Sequence, residues 1–210
     1  MTDRQPALEA EVLRVWTGQS DSAHDLGHLR RVWTNARTLA LGTEAALDIL
    51  QAAAFLHDLV NPPKSSADRG QASTRSAEAA SRFLATTDFP AQHIPAVAHA
   101  IAAHSFSAGI PPETLEAKIL QDADRLDALG AIGLARMFAV AGRAGTALFD
   151  PDDPLALSRP LDDRRFSLDH LETKLLTLPQ TMQTEAGRQI AEERADWMCA
   201  FRSRLLRELP

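Results

Sequence analysis

The 210-residue chain has no tyrosine and few of the residues that favour strands, with only 6 valines and 7 isoleucines. Alanine and leucine are abundant instead, at 37 and 28 residues. Because β-branched and aromatic residues favour strands whereas alanine and leucine favour helices, this composition predicts an all-α fold. A chain of this length is also sufficient for one substantial hydrophobic core.

A single cysteine, Cys199, excludes an internal disulfide framework and fits a reducing compartment. No uninterrupted apolar stretch approaches the ~18 residues of a membrane span, and no apolar segment typical of a signal peptide follows the polar residues 1–6. The net charge of -6 disfavours broad electrostatic binding to nucleic acid or to anionic lipid. We therefore expect a cytoplasmic protein with neither a nucleic-acid nor a membrane partner.

Apolar residues recur at helical spacing along most of the chain, and breaks rich in proline and glycine separate the periodic segments. The segment 61–63, Asn-Pro-Pro, cannot continue the helix before it because proline lacks an amide hydrogen. The segment 142–163 contains three prolines and several aspartates, which predicts a long surface loop or lid. The predicted helices cover residues 6–16, 27–41, 45–59, 72–85, 90–103, 113–126, 129–140, 166–178 and 182–206.

A histidine and a carboxylate stand together as His57-Asp58 inside the apolar run 52–60, where burying either polar group alone would be costly. His28 lies upstream and the acidic run 121–127 lies downstream, each on its own predicted helix. Imidazole and carboxylate ligands suit Mn²⁺, Fe²⁺, Ni²⁺ or Zn²⁺, and adjacent helical residues point about 100° apart, so the pair is able to straddle one ion. On spacing alone, a hydrogen-bonded pair in the core explains His57-Asp58 equally well.

The order of these motifs resembles the HD-domain superfamily of metal-dependent phosphohydrolases, and most closely a bacterial subgroup of small single-domain proteins. The motifs are His-Leu-Arg-Arg-Val from His28, Leu-His-Asp at 56–58 and Asp-Ala-Asp-Arg-Leu-Asp at 122–127. Supporting stretches bring the resemblance to about residues 20–200; they lie at 23–28, 104–107, 124–133, 174–176 and 190–194. The resemblance implies an all-α, single-domain HD-type helical bundle over residues 1–210. Its metal core would cover about 20–140, with C-terminal helices at about 164–208 packing on it.

The resemblance also implies one divalent metal ion (Mn, Ni, Fe, Co, Zn or Mg) in a central cleft, with four ligands: His28, His57, Asp58 and Asp124. Asp122 and Asp127 compete for the last place. Asp127 is three residues from Asp124 on nearly the same helical face, so we expect it to support the site and contact substrate. An N-cap or a solvated surface charge is the alternative for Asp122 and Asp127.

Four more residues are candidates for contact with substrate: His24, Arg31, Lys64 and His104. The spacing of His24 and His28 is that of a zinc-protease His-x-x-x-His pair, but Asp25 replaces the expected glutamate and Gly27 disfavours a rigid helix. His104, at a predicted helix end, is a candidate acid or phosphate contact, although the helix dipole alone favours histidine there. Lys64 and Arg31 are candidate phosphate contacts, and the alternative is that both are solvated surface cations.

The expected activity is hydrolysis of a phosphorus–oxygen bond, with Asp58, Lys64 and His104 as catalytic residues. The expected substrate is a small phosphorylated molecule of the nucleotide class, for example a dNTP cleaved to dNMP and pyrophosphate. The alternatives are a phosphomonoesterase, a cyclic-nucleotide phosphodiesterase and a non-catalytic sensor that binds metal or nucleotide. For the assembly we expect a homodimer, because closed two-fold assemblies are the commonest.

Overall fold

The computed structural model describes residues 3–17, 25–60, 70–105 and 108–209. No strand forms in this part of the chain, where β pairing is limited to an isolated bridge between Ala147 and Phe166. The all-α fold class is confirmed. The described α-helices are α1 Gln5–Val15, α2 Leu26–Leu39, α3 Leu47–Leu56, α4 Ala72–Leu84, α5 Ile94–His104, α6 Leu115–Asp127, α7 Gly130–Ala144, α8 Asp169–Thr173 and α9 Glu185–Leu206, with 3₁₀ turns at Ala91–His93 and Leu175–Thr181.

Several helix boundaries differ from the sequence prediction, and two of the differences change the course of the chain. Helix α3 ends at Leu56 rather than at residue 59, so His57 and Asp58 lie in the turn that follows it. Two consecutive prolines at 62 and 63 remove the amide hydrogens that a longer helix would need. The predicted helix 166–178 is divided into α8 and a 3₁₀ turn that contains Pro179, because the backbone of Lys174 leaves the helical region.

Contacts divide the chain into two compact units, Met1–Asp124 and Arg125–Pro210. In the first unit α3 is the buried element: every residue from Ile49 to Leu56 is buried. A helix that is apolar all round is expected to be covered on all sides, and α1, α2, α4 and α5 pack against it. The single domain predicted over 1–210 stays a prediction.

In the second unit α7 packs against α9. Helix α7 continues to Ala144 and ends at Gly145, whose φ of 69° is readily adopted by glycine. The loop predicted at 142–163 therefore begins at residue 145. It is tied to the unit by the Arg159 guanidinium, which donates to the buried Asp169 carboxylate at 2.6 and 3.0 Å.

Candidate metal centre

His28 lies in the first turn of α2 and is almost fully buried, with 1% of its surface exposed. The helix begins with Asp25 as its N-cap, and the Asp25 carboxylate accepts a hydrogen bond from the His28 backbone N–H at 2.8 Å. The cap fixes where the first turn starts. It therefore also fixes the point from which the imidazole projects.

His57 is the first residue after α3 and is completely buried. Its Nδ1 lies 2.9 Å from the carbonyl oxygen of Ala54. A carbonyl oxygen can only accept, so Nδ1 carries the donated hydrogen and Nε2 is the ring nitrogen that faces the cluster. A backbone partner of this kind is typical of metal-ligating histidines, since it fixes both the tautomer and the ring orientation.

The four predicted ligands converge on one region of the first unit. His28 Nε2 and His57 Nε2 are 3.3 Å apart. Asp58 Oδ2 lies 3.8 Å from the His28 nitrogen and 3.5 Å from the His57 nitrogen. Asp124 Oδ1 lies 3.5 and 3.9 Å from the same two nitrogens.

The spacing of these atoms fits a divalent ion. Nitrogens about 2.1 Å from one ion are about 3.0 to 3.4 Å apart at octahedral or tetrahedral angles, and the two imidazole nitrogens fall in this range. One ligand atom each from His28, His57 and Asp58 lies within 4.8 Å of the others. Two imidazole nitrogens with carboxylate oxygens are a donor set for Mn²⁺, Fe²⁺, Ni²⁺ or Zn²⁺. These residues are therefore able to hold a metal ion, and its identity stays a prediction.

His104 ends α5 beside this cluster, with its ring 4.8 Å from the His57 ring. Its Nδ1 lies 2.6 Å from the Ile101 carbonyl oxygen, and its Nε2 lies 3.8 Å from Asp58 Oδ1. Burial and the neighbouring His57 lower the pKa of His104, against the opposing effect of Asp58 and Asp124. The ring is therefore neutral at physiological pH, with Nδ1 protonated and Nε2 free to accept a proton.

The other predicted site residues have varied positions. His24 and Lys64 lie outside the described residues. Arg31 is half-buried in α2, where its Nη1 would be 3.1 Å from a side chain added at Gly27. Asp122 is fully buried in α6. The roles predicted for these residues in substrate or metal binding stay predictions.

Asp127 is also buried, with 2% of its surface exposed. Its Oδ2 accepts a hydrogen bond from Arg136 Nη1 at 2.5 Å. The surroundings of this carboxylate are thus those of a buried ion pair between α6 and α7. A contact between Asp127 and substrate stays a prediction.

Two residues near the centre are absent from the sequence analysis. The Trp16 indole Nε1 donates to the backbone carbonyl of Asp58 at 3.3 Å. The Ser76 hydroxyl accepts from the Val60 N–H at 3.0 Å and donates to the Val60 carbonyl at 3.3 Å. Neither belongs to a sequence motif. The one signal in the sequence was Pro62: in a continuing helix the amide of residue 62 would bond the Asp58 carbonyl, and proline has no amide hydrogen.

Comparison with known proteins gives a consistent result. The profile of the HD domain family matches residues 25–129. A protein of Bacillus subtilis, YpgQ, is 31% identical over 210 residues, which is 96% of this chain and 94% of YpgQ. The crystal structure of YpgQ in complex with ADP has a TM-score of 0.73 at 29% identity, covering 99% of this chain and 95% of that one.

A second solved structure, an HD-superfamily hydrolase from Bacillus thuringiensis, has a TM-score of 0.72 at 32% identity. It covers 98% of this chain and 97% of that chain. A predicted HD-superfamily hydrolase from an uncultured Thermotogales bacterium has a TM-score of 0.68 at 28% identity, covering 99% and 94%. These similarities extend over almost the whole chain, well beyond the family match. None of the described helices has the length and apolar character needed to cross a membrane.

Proposed function

The chain belongs to the HD-domain family of metal-dependent hydrolases, and from this premise we propose that it hydrolyses a phosphoester or phosphoanhydride bond of a nucleotide-like substrate. The observation that carries the proposal is the convergence of His28, His57, Asp58 and Asp124 on one point. When bound there, a divalent ion would lower the pKa of a coordinated water and polarise a phosphoryl oxygen.

The protein groups have separate tasks in this proposal. His28 and His57 present imidazole nitrogens, and Asp58 and Asp124 supply carboxylate oxygens that offset the charge of the ion. Asp58 faces the histidine pair through Oδ2 and His104 through Oδ1. It is therefore placed to orient an attacking water molecule between the ligand cluster and His104.

His104 acts in the proposal as the acceptor of a proton from that water. Its Nδ1 hydrogen is used by the Ile101 carbonyl, so the neutral ring has no hydrogen on Nε2 to donate to a leaving group. A base close to the attacking water is what general-base catalysis requires. The sequence suggested an acid or a phosphate contact for His104, and those roles stay predictions beside the base that we propose.

The substrate class is the finer part of the proposal. YpgQ, which is similar over almost its whole length, has been crystallised with ADP. This supports a nucleoside phosphate as the ligand, with a dNTP cleaved to dNMP and pyrophosphate as our leading candidate. Arg31 and Lys64 are proposed to contact its phosphates, and His24 and Asp127 to contact other parts of it.

The test is Mn²⁺-dependent release of pyrophosphate or phosphate from dNTPs, NTPs, ADP, a cyclic nucleotide and a phosphomonoester. We expect turnover by the wild type and a loss of more than about 100-fold in Asp58→Ala, because a ligand and the orienting carboxylate are removed together. The control is Asp48→Ala, since Asp48 also pairs with a histidine and its side chain is 20% exposed, as that of Asp58 is.

Equal losses in both variants would contradict the assignment of Asp58 to the site. Tight binding of Mn²⁺ with no turnover of any substrate would instead identify a metal-binding sensor. Release of inorganic phosphate from the phosphomonoester, with no pyrophosphate from the dNTPs or NTPs, would favour a phosphomonoesterase over the pyrophosphohydrolase.

A further inference from the structure

The turn that carries Asp58 has a backbone carbonyl that the helix itself cannot satisfy. In a continuing helix the Asp58 oxygen would accept from the amide four residues later, but residue 62 is proline and has no amide hydrogen. Trp16 supplies a donor: its indole Nε1 lies 3.3 Å from that oxygen. The indole thus bonds to the main chain of a candidate metal ligand, at the point where regular structure ends.

The same turn is held two residues later. Ser76, completely buried in α4, bonds both the N–H and the carbonyl of Val60, at 3.0 and 3.3 Å. The segment 57–60 is therefore fixed at Asp58 from α1 and at Val60 from α4. Neither bond touches the ligand atoms themselves.

The position of Trp16 is itself fixed, because α1 and its N-cap Arg4 are bonded to α2, which carries His28, and to α3, which ends just before His57. Near its start, the Arg4 N–H donates to the side chain of Gln51 in α3 at 3.4 Å. In its middle, Glu9 forms two hydrogen bonds with the Arg30 guanidinium of α2, at 2.8 and 2.7 Å. Helix α1 precedes the segment that matches the HD domain family profile, which begins at residue 25.

We propose that Trp16 is a positioning residue of the candidate metal centre: its bond to the Asp58 carbonyl holds the peptide plane from which the Asp58 carboxylate projects. This inference rests on the proposed metal site. A ligand atom must lie within about 0.2 Å of its ideal distance, so a small rotation of the Asp58 backbone lowers the affinity for metal. Removing the bond is expected to weaken binding without removing any ligand.

The first experiment measures the Kd for Mn²⁺ by isothermal titration calorimetry, with the melting temperature of the metal-free protein in parallel. Trp16→Phe keeps an aromatic ring and removes the N–H, whereas Ser76→Ala removes the bonds to Val60. We expect both variants to raise the Kd by about 5- to 10-fold, because each loses hydrogen bonds that position a ligand without losing the ligand itself. The matched control, Trp197→Phe, alters an exposed tryptophan of α9 and is expected to keep the wild-type Kd.

A Kd in Trp16→Phe within twofold of the Trp197→Phe value would overturn the inference while leaving the metal site intact. A wild type that binds no Mn²⁺ would overturn both. An equal rise in Kd in the control variant would also overturn the inference, since the effect would then not depend on the bond to Asp58.

A second measurement uses wild-type protein and needs no folded Trp16 variant. In ¹⁵N-labelled protein, the indole signals of Trp33 and Trp197 are identified from their own Trp→Phe variants, which leaves the signal of Trp16. Binding of diamagnetic Zn²⁺ is expected to shift the Trp16 indole signal and slow its hydrogen exchange, with little change at Trp197. An unchanged Trp16 signal in the Zn²⁺-loaded protein would overturn the inference.

Discussion

At the scale of single residues, hydrogen bonds that involve main-chain groups position the side chains of the centre. Asp25 caps the helix of His28, the Ala54 carbonyl orients His57, and the Ile101 carbonyl orients His104. In His57 and His104 the bond uses ring Nδ1 and leaves Nε2 facing the cluster, whereas in His28 the bond uses the backbone N–H. The chemistry that remains available is therefore set by atoms outside the cluster, as is usual for the surroundings of protein metal sites.

Asp127 allows a test that separates structural and substrate-binding roles. Its carboxylate is buried and accepts a hydrogen bond from Arg136. Arg194 is a second cation close enough to interact electrostatically with this carboxylate. We expect Asp127→Ala to lower the free energy of unfolding by about 1.5 to 3 kcal/mol, because the partly buried Arg136 and Arg194 lose their counter-charge. Urea denaturation measures this loss, and steady-state kinetics on the folded fraction measures KM.

An unchanged unfolding free energy together with a raised KM would contradict the structural role of Asp127. That result would support the contact with substrate proposed from the sequence. The double variant Asp127→Ala/Arg136→Ala provides the internal check, since the two effects are expected to be less than additive if the ion pair carries them.

At the scale of elements, composition and periodicity predicted most helices, because alanine and leucine at helical spacing leave few other solutions. They misplaced the end of α3 by three residues. The apolar periodicity of the run 52–60 continues through Leu59. However, prolines at 62 and 63 have no amide hydrogens to bond the carbonyls four residues before them, and periodicity does not register that loss. The donor to the Asp58 carbonyl comes from 42 residues away. No local pattern contains a contact of that range.

The loop after α7 provides a pH-dependent prediction. Burial alone would raise the pKa of Asp169, but hydrogen bonds from the Arg159 guanidinium and the Asp162 N–H more than offset burial and lower it. A carboxyl group with a lowered pKa in the folded protein contributes stability above the unfolded pKa of about 3.9. That contribution is lost as the pH falls through the folded value. We expect Asp169→Asn to cost about 1.5 to 3 kcal/mol at pH 7 and progressively less as the pH falls below about 4.

Melting temperatures of the wild type and Asp169→Asn between pH 7 and pH 3 check this prediction. The gap between the two proteins should narrow as the pH falls. A gap that is constant over this range would mean that the charge of Asp169 does not contribute, and that only the packing of its side chain matters.

At the scale of the whole molecule, the four candidate ligands come from α2, from the turn after α3 and from α6, all in the first compact unit. The resemblance located these residues, and the fold brought them together. The structure shows which nitrogen of each histidine faces the cluster, and the order of the motifs in the sequence does not contain that information. The substrate depends on shape and charge around the cluster, and those are not encoded in the order of ligands.

Removal of metal is expected to lower the stability of the protein. A ligand that binds only the folded state at 100 times its Kd stabilises it by about 2.7 kcal/mol. Differential scanning calorimetry with Mn²⁺, and again after EDTA, should therefore show a reversible shift in melting temperature. In His57→Ala that shift should be nearly absent, whereas Asp48→Ala should keep it. A full Mn²⁺ shift in His57→Ala would place the ion elsewhere.

The bonds from α1 to α2 and α3 have a practical consequence for dissecting the protein. A fragment cut where the family match begins, at residue 25, would retain His28, His57, Asp58 and Asp124. It would nevertheless lose Glu9 and Trp16, the partners of the Arg30 guanidinium and of the Asp58 carbonyl. The segment that matches the family profile is therefore shorter than the segment expected to bind metal with full affinity. A fragment made for expression should begin before α1.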